Sequence, residues 1–304
     1  MRVEAIFNRD GGTFRTTDMD AYTQYAEEVF RDAGHEINCH VVAGDDMTDV
    51  LERTAQRDDV DAMLAGGGDG TISSAAGVAW KSGMPLGVVP AGTMNLFARS
   101  LKLPLDIREV LPVLAHGHVI DADIGSADGR AFVHQFSMGL HARMVRYRES
   151  FTFGSRIGKI SASVRAAVGV IFNPPEFEVD IDIDGHTERR KISAISVSNN
   201  HFGHDKLMYA DDVTGGHLGF YTAAPLRPHQ VAGLVVDVLR GKFRDNVNIT
   251  EMSGQSVDLH FPKVHGRINC VIDGELLPLQ QDVALRIHPG ELKLLVGQPD
   301  TNVG

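Results

Sequence analysis

The chain has 304 residues, 43% hydrophobic and 23% charged, enough to bury one large core or two ordinary ones. Its formal net charge of −11 argues against a nucleic-acid partner, which needs clustered lysine and arginine, and against attachment of the whole surface to anionic membranes. Cys39 and Cys270 lie in strand-like runs, do not amount to a disulfide framework, and read as buried reduced thiols.

The chain opens on MRVEAIFNRD, a strand from its second residue and not a secretory signal, so the expected location is cytoplasmic. Val3–Phe7 is an apolar run ending in the loop Asn8-Arg9-Asp10-Gly11-Gly12-Thr13. Met19–Ala33 has helical spacing, with Tyr22, Tyr25, Ala26 and Phe30 on one side. Ile37–Val42 reads as strand and Met47–Ala55 as helix. Ala62–Ala65 is a short buried strand running into Gly66-Gly67-Gly68-Asp69-Gly70-Thr71. A small-residue helix through Ser82 follows, then the strand Leu86–Val89 and the loop Pro90-Ala91-Gly92-Thr93. Alternating strands and helices predict right-handed crossovers and a mainly parallel sheet covered on both faces.

From Val119 the pattern changes. Hairpin signals appear at Asp128-Gly129, Asp184-Gly185, Gly215-Gly216 and Asp273-Gly274. Phe177–Ile183, Lys191–Val197, Ser256–Phe261 and Val283–Ile287 alternate as strands do, predicting an antiparallel sandwich with helical insertions near Ile157–Ile171 and Pro228–Leu239. The domain boundary is placed at residue 121, giving an α/β domain over 1–121 and a β-sandwich over 122–304. The longest apolar stretches, Val164–Phe172 and Val231–Leu239, reach about half the ~20 residues of a membrane-spanning helix, and Asp237 interrupts the second.

GGGDGT, between a buried strand and a helix, is the strongest local motif. Its glycines let backbone approach a phosphate, and the helix start offers N–H groups to the anion. It lacks the lysine of a Walker loop. A carboxylate inside such a loop repels phosphate unless Asp69 holds Mg²⁺, orients an N–H or takes a proton. The loop Pro90–Asn95 repeats the strand–loop–helix geometry about 20 residues on, and both loops then fall at the carboxyl ends of neighbouring parallel strands, where ligands bind. Ile272-Asp273-Gly274-Glu275 reads as a hairpin turn; as a catalytic element, Asp273 would accept a hydroxyl proton and Glu275 would support nucleotide or metal.

GGGDGT, PAGTMNLFAR and IDGE, in this order and spacing, resemble the diacylglycerol kinase catalytic-domain family, which includes sphingosine kinases and bacterial lipid kinases. The resemblance covers nearly the whole chain. It implies an N-terminal domain like that of NAD kinases and phosphofructokinases, a C-terminal sandwich to which the last residues need not belong, and an ATP cleft between the two. The implied activity is transfer of a phosphoryl group from ATP, with Mg²⁺, to a lipid hydroxyl at the membrane surface. The nucleotide loops would be Gly67, Gly68, Asp69, Gly70 and Thr71, with Gly92, Thr93 and Asn95; Asn8 stands at the first-strand loop. Asp273 would be the proton acceptor, with Asp69 organising metal or acceptor.

Three positions depart from the family pattern. The first-strand loop, Asn-Pro-x-Ser-Gly in the family, is Asn8-Arg9-Asp10-Gly11-Gly12; the Asn-Asp of the second loop is Asn95-Leu96; and a structural-metal Asp-Gly is Gly215-Gly216, with Asp211 and Asp212 upstream. No metal ligand is assigned beyond Mg²⁺ carried by ATP. A soluble NAD kinase-like or small-alcohol kinase, a non-catalytic nucleotide-binding regulator, and a homodimer all stay open.

Other features read more plainly. Asp180–Gly185 imitates the start of a calcium loop but fits an exposed strand and turn. His201, His204 and His217 read as solvated histidines. Arg143, Arg146, Arg148, Arg156, Lys159 and Arg165, with Phe151 and Phe153, form a basic run that would serve as a membrane patch or as a solvated face.

Overall fold

The computed structural model describes residues 1–149, 173–204, 207–263 and 268–298. They fall into two compact units: Met1–Ile124 with Asp212–Gly215 and His288–Gly304, and Gly125–Asp211 with Gly216–Ile287.

In the first unit, β1 (Arg2–Asn8), β2 (Glu36–Val42), β3 (Ala62–Gly67) and β4 (Leu86–Pro90) form a parallel sheet in the order β2-β1-β3-β4. All residues of β3 and β4 are buried, which accounts for their unbroken apolar reading where alternation is absent. The crossovers are α1 (Met19–Asp32), α2 (Met47–Ala55) and α3 (Asp69–Ser82). The Asp18 carboxylate caps α1 through the Ala21 N–H at 3.2 Å. Tyr22, Ala26 and Phe30, one turn apart, are the buried stripe of α1, and the Tyr22 ring meets Phe7 and Phe14 at 5.2 and 5.4 Å. Ala75, Ala76 and Ala79 let α3 lie close to the sheet, and Gly83 ends it in the left-handed conformation (φ 72°). Two short helices, α4 (Leu96–Ser100) and α5 (Val110–Ala115), follow β4. From β16 (Asp282–Val296), Leu294 and Leu295 pair in parallel with Leu86 and Gly87.

The second unit is a sandwich. One sheet carries β5 (His118–Ala127, its last three residues), β6 (Arg130–Phe132), β8 (Phe177–Ile183), β9 (His186–Ile192), β13 (Ser256–His260) and the start of β16. The other has the order β12-β11-β10-β7-β14-β15, with β7 (Gln135–Gly139), β10 (Ala194–Asn199), β11 (Leu218–Ala223), β12 (Ile249–Gly254), β14 (Asn269–Ile272) and β15 (Glu275–Pro278). One core unites both sheets: Val179, Ile181, Val257 and Leu285 from the first, Phe136, Val197, Phe220 and Cys270 from the second. Asp128-Gly129, Asp184-Gly185 and Asp273-Gly274 are two-residue hairpin turns with positive φ at both positions, from 45° to 88°, which Asp and Gly tolerate.

The structure differs from the sequence reading at three places. Lys191–Val197 is two strands, because the chain changes sheets at Ser193, whose carbonyl lies against Gly139 so closely that a Cβ there would be 2.2 Å away. Gly215-Gly216 makes no hairpin; 212–215 belongs to the first unit and β11 starts after it. The first unit's long segment extends to Ile124. The basic run begins on a helix, α6 (Leu140–Glu149), where Arg143 donates to the Asn173 carbonyl at 2.6 Å and Arg146 is exposed. The side chains of Arg148, Phe151, Phe153, Arg156, Lys159 and Arg165, with the helix expected near Ile157–Ile171, lie outside the described residues. The expected helix at Pro228–Leu239 is present as α7, opened by Pro228 and a Gln230 side chain accepting the Arg227 N–H at 2.8 Å.

Candidate functional site

The strand order β2-β1-β3-β4 puts a topological switch point between β1 and β3, and the loops leaving β1, β3 and β4 meet there. They are joined backbone to backbone. The Thr13 N–H donates to the Ala91 carbonyl at 2.8 Å, and the Ala91 N–H to the Gly67 carbonyl at 2.8 Å. Such approach leaves no room for side chains. A Cβ on Gly92 would sit 2.8 Å from the Gly68 Cα, one on Gly12 (φ 21°) 2.0 Å from the Ala91 oxygen, and one on Gly67 2.6 Å from the Thr71 side chain.

Asn8 ties the first loop to the second. Its Nδ2 donates to Thr71 Oγ1 at 3.0 Å, and its Oδ1 accepts the Asp10 N–H at 3.0 Å. The Asp10 carboxylate accepts the Gly44 N–H at 2.9 Å, fastening the loop after β2 as well. An Asx turn and two glycines shape this loop, and Asn8 ties it to the start of α3. Gly68 precedes α3 without a side-chain cap, so the N–H groups of Asp69, Gly70 and Thr71 have no partner within the helix and carry its positive end.

Asp69 accepts two N–H bonds, from Asn95 to Oδ2 at 3.1 Å and from Leu96 to Oδ1 at 2.6 Å. Of the three roles open to it, the geometry supplies the second: it orients the start of α4. Each of its oxygens accepts a single N–H and keeps a second lone pair for a metal ion or a hydroxyl. Asn95, left-handed at φ 51°, closes the loop by accepting the Gly92 N–H at 2.8 Å and donating to the Gly92 carbonyl at 3.1 Å. Thr93 stands exposed between these anchors.

Asp273 and Glu275 belong to the second unit. The Asp273 carboxylate accepts the N–H groups of Val133, His134 and Gln135 at 2.8, 3.0 and 2.9 Å, and its own N–H donates to the Gln135 carbonyl at 3.0 Å. It is half-buried at a hairpin tip that pins the stretch between β6 and β7. Glu275 is ion-paired with Arg130, and both side chains stay exposed. The pinned segment 133–135 and the Asp10–Gly44 fastening carried no signal in the sequence, because backbone donors have no residue type.

Several weaker readings acquire definite partners. Asp180 pairs with Arg189, Asp182 accepts from Thr187 and Gly185, and Asp184 accepts from Gln255 and Ser256, so this stretch is a strand and turn. His201 lies 2.8 Å from a Glu251 oxygen with its ring 4.7 Å from that of His217; burial pushes its pKa down against the pull of Glu251. Among the described residues no group of three or more His, Cys, Asp or Glu is placed to hold a metal ion. Both cysteines are free, Cys39 half-buried and Cys270 buried, with burial raising their thiols to about 12 and about 11.

Comparison with known proteins places this arrangement. Residues 2–127 match the diacylglycerol kinase catalytic domain. A diacylglycerol kinase of Staphylococcus saprophyticus is 25% identical over 96% of this chain and 97% of its own. One from Staphylococcus aureus is 31% identical over 58% of this chain and 56% of its own. A crystal structure of a diacylglycerol kinase from Bacillus anthracis, 16% identical, superposes with a TM-score of 0.69, covering 99% of this chain and 98% of that one, and shares the fold. The chain is thus similar over nearly its whole length to a diacylglycerol kinase, and its residues 2–127 match the catalytic domain of those kinases.

Proposed function

We propose that the protein transfers the γ-phosphoryl group of ATP to a hydroxyl of a lipid alcohol. The observation that carries this is the three-loop cradle: glycine backbones in contact at the carboxyl ends of β1, β3 and β4, with the first N–H groups of α3, which have no partner within the helix, beside it. That surface fits a polyphosphate because it presents donors and a helix end without side chains in the way. Gly67–Thr71 and Thr93 line it, Asn8 and Asn95 hold its walls, and Asp69 sets the second loop against the third. Mg²⁺ bound to the phosphates would supply charge neutralisation.

Asp273 is the proton acceptor in this reading. Three N–H donors fix its carboxylate, so it loses little freedom when an acceptor hydroxyl arrives. The hydroxyl proton passes to Asp273 while its oxygen bonds to the γ-phosphorus. The bond from that phosphorus to the bridging oxygen breaks, and ADP leaves. The names of the relatives make diacylglycerol the first acceptor to try, with sphingoid bases and ceramide beside it.

The test is transfer of labelled phosphate from ATP–Mg²⁺ to micellar diacylglycerol, ceramide, sphingosine and phosphatidylglycerol, with Asp273→Asn as control. The expected result is a labelled lipid with the wild type and a fall of at least about a hundredfold in the variant. Undiminished transfer by a folded Asp273→Asn protein would remove Asp273 from the chemistry. ATP binding without labelling of any lipid would overturn the lipid acceptor.

A further inference from the structure

We propose that α7 and the turn after it form the face by which this protein settles on an anionic lipid bilayer. The inference rests on the reading above, in which the acceptor is a lipid that stays in its membrane.

The helix reads PHQVAGLVVDVL and is apolar almost all round, as a buried helix is, yet only one side of it is covered. Val231 and Leu234 pack inward with Leu140, Ala223 and Leu226. Ala232, Val235, Val236 and Leu239, at the i, i+3, i+4, i+7 spacing of one helix face, all point to solvent. Val235 is 39% exposed, Val236 42% and Leu239 68%.

The turn beyond the helix continues this face, and it is held rigidly. Asn246 donates to Asp237 at 2.6 Å and accepts the Asn248 N–H at 2.9 Å, while Gln230 of α7 donates to the Asn248 side chain at 2.9 Å. Val247, between the two asparagines, is left 96% exposed. Asp237, which breaks the apolar run in the sequence, serves to anchor this turn. A protein that merely tolerated a loose apolar residue would not build a four-part polar clamp behind it.

The charge around the stripe selects the occupant. Arg227 precedes the helix, Arg240 and Lys242 follow it, and all three are exposed, with no ion pair among the described residues. Asp245 is the one exposed acid between residues 227 and 247, in a chain whose net charge is −11. Apolar side chains in one stripe with basic groups at both ends suit a helix lying in the headgroup layer of an anionic membrane. A second copy of the chain suits it poorly. Both ends of α7 are positive, so pairing two copies, parallel or antiparallel, sets arginine and lysine against arginine and lysine.

The experiment is co-sedimentation of the full chain with vesicles of phosphatidylcholine and phosphatidylglycerol in equal parts, and with phosphatidylcholine alone. Wild type should bind the anionic vesicles, and Val236→Glu/Leu239→Glu should lower its partition by about tenfold or more. Arg240→Glu/Lys242→Glu should lower binding to the anionic vesicles only. Both residues of the first variant are exposed, so its unfolding midpoint should stay at the wild-type value. Phosphate transfer to dihexanoylglycerol dispersed as monomers should be the same in wild type and both variants. Equal partition of wild type and the Val236/Leu239 variant, or no binding by wild type, overturns the inference. So does a wild-type dimer that the variant dissolves without any vesicle binding, which would make the stripe an interface between copies. If wild type labels no lipid in any form, the acceptor reading fails, while the vesicle arm still decides whether α7 docks.

Discussion

Gly92 and Gly70 look alike in the sequence and stand in opposite surroundings. A Cβ on Gly92 would press on the Asn95 side chain and the Gly68 backbone, both at 2.8 Å, whereas one on Gly70 meets no protein atom within 4 Å. Gly70 also lies in the first turn of α3 with no positive φ, where alanine in place of glycine adds about 0.4–1 kcal/mol by restricting the unfolded chain. Gly92→Ala should therefore lower both the unfolding midpoint and ATP affinity, the latter by about tenfold or more. Gly70→Ala should raise the midpoint and still weaken ATP binding, because the added methyl covers the N–H groups at the helix start. Calorimetric titration with an ATP analogue, beside thermal unfolding, separates the two. Unweakened binding by Gly70→Ala would move the phosphates off α3. At this scale the sequence singles out the acids among the glycines but not the bonds that hold them. Asp69 and Asp273 stand out as acids among glycines, but their bonds run to backbone N–H groups of residues 26 and about 140 positions away, and no side-chain pattern records those.

At the scale of elements, β8 carries its own pH dependence. Hydrogen bonds from Arg189 to Asp180, from Thr187 to Asp182 and from Lys263 to Glu178 hold all three carboxyls below their ordinary values. A carboxyl lowered in the folded state adds stability that is present above its unfolded value, near 4, and lost as pH falls through the folded one. The urea midpoint should thus decline as pH drops from about 5 to about 3, and Asp182→Asn should decline less steeply. The pairs are exposed, so the change will be modest. Parallel declines in both proteins would exclude Asp182 from the effect. Periodicity made β8 legible from Phe177 to Ile183, and likewise α2 from Met47 to Ala55, because one buried face fixes each register. It failed at Lys191–Val197 because β9 ends and β10 begins around one buried serine. Alternation by itself does not say which sheet a strand joins.

For the whole molecule, the family match over residues 2–127 suggests a catalytic domain that could stand alone, and the structure argues otherwise. On its outer side β4 pairs with Leu294 and Leu295 of β16, and Leu292, Leu294 and Leu295 are all within 1% of full burial. Trp80 of α3 donates to the Glu291 carboxylate at 2.7 Å and its ring lies 4.5 Å from that of His288. Cutting the chain after residue 127 would remove these three leucines and leave β4, wholly apolar, as a bare edge open to pairing with other chains. Removing buried leucine side chains costs about 2–5 kcal/mol each, against a total stability of about 5–15 kcal/mol. Residues 1–127 expressed alone should therefore aggregate or show no cooperative unfolding by circular dichroism. The same fragment with residues 286–298 joined through a flexible glycine-serine linker should regain a cooperative transition. The full chain with Leu294→Asp should lose stability in the first unit while residues of the β8–β9 hairpin keep their protection from hydrogen exchange. A cooperatively folded 1–127 fragment would show that β16 is an accessory to the first unit; failure of the joined fragment to fold would show that 212–215, the other returning segment, is needed as well.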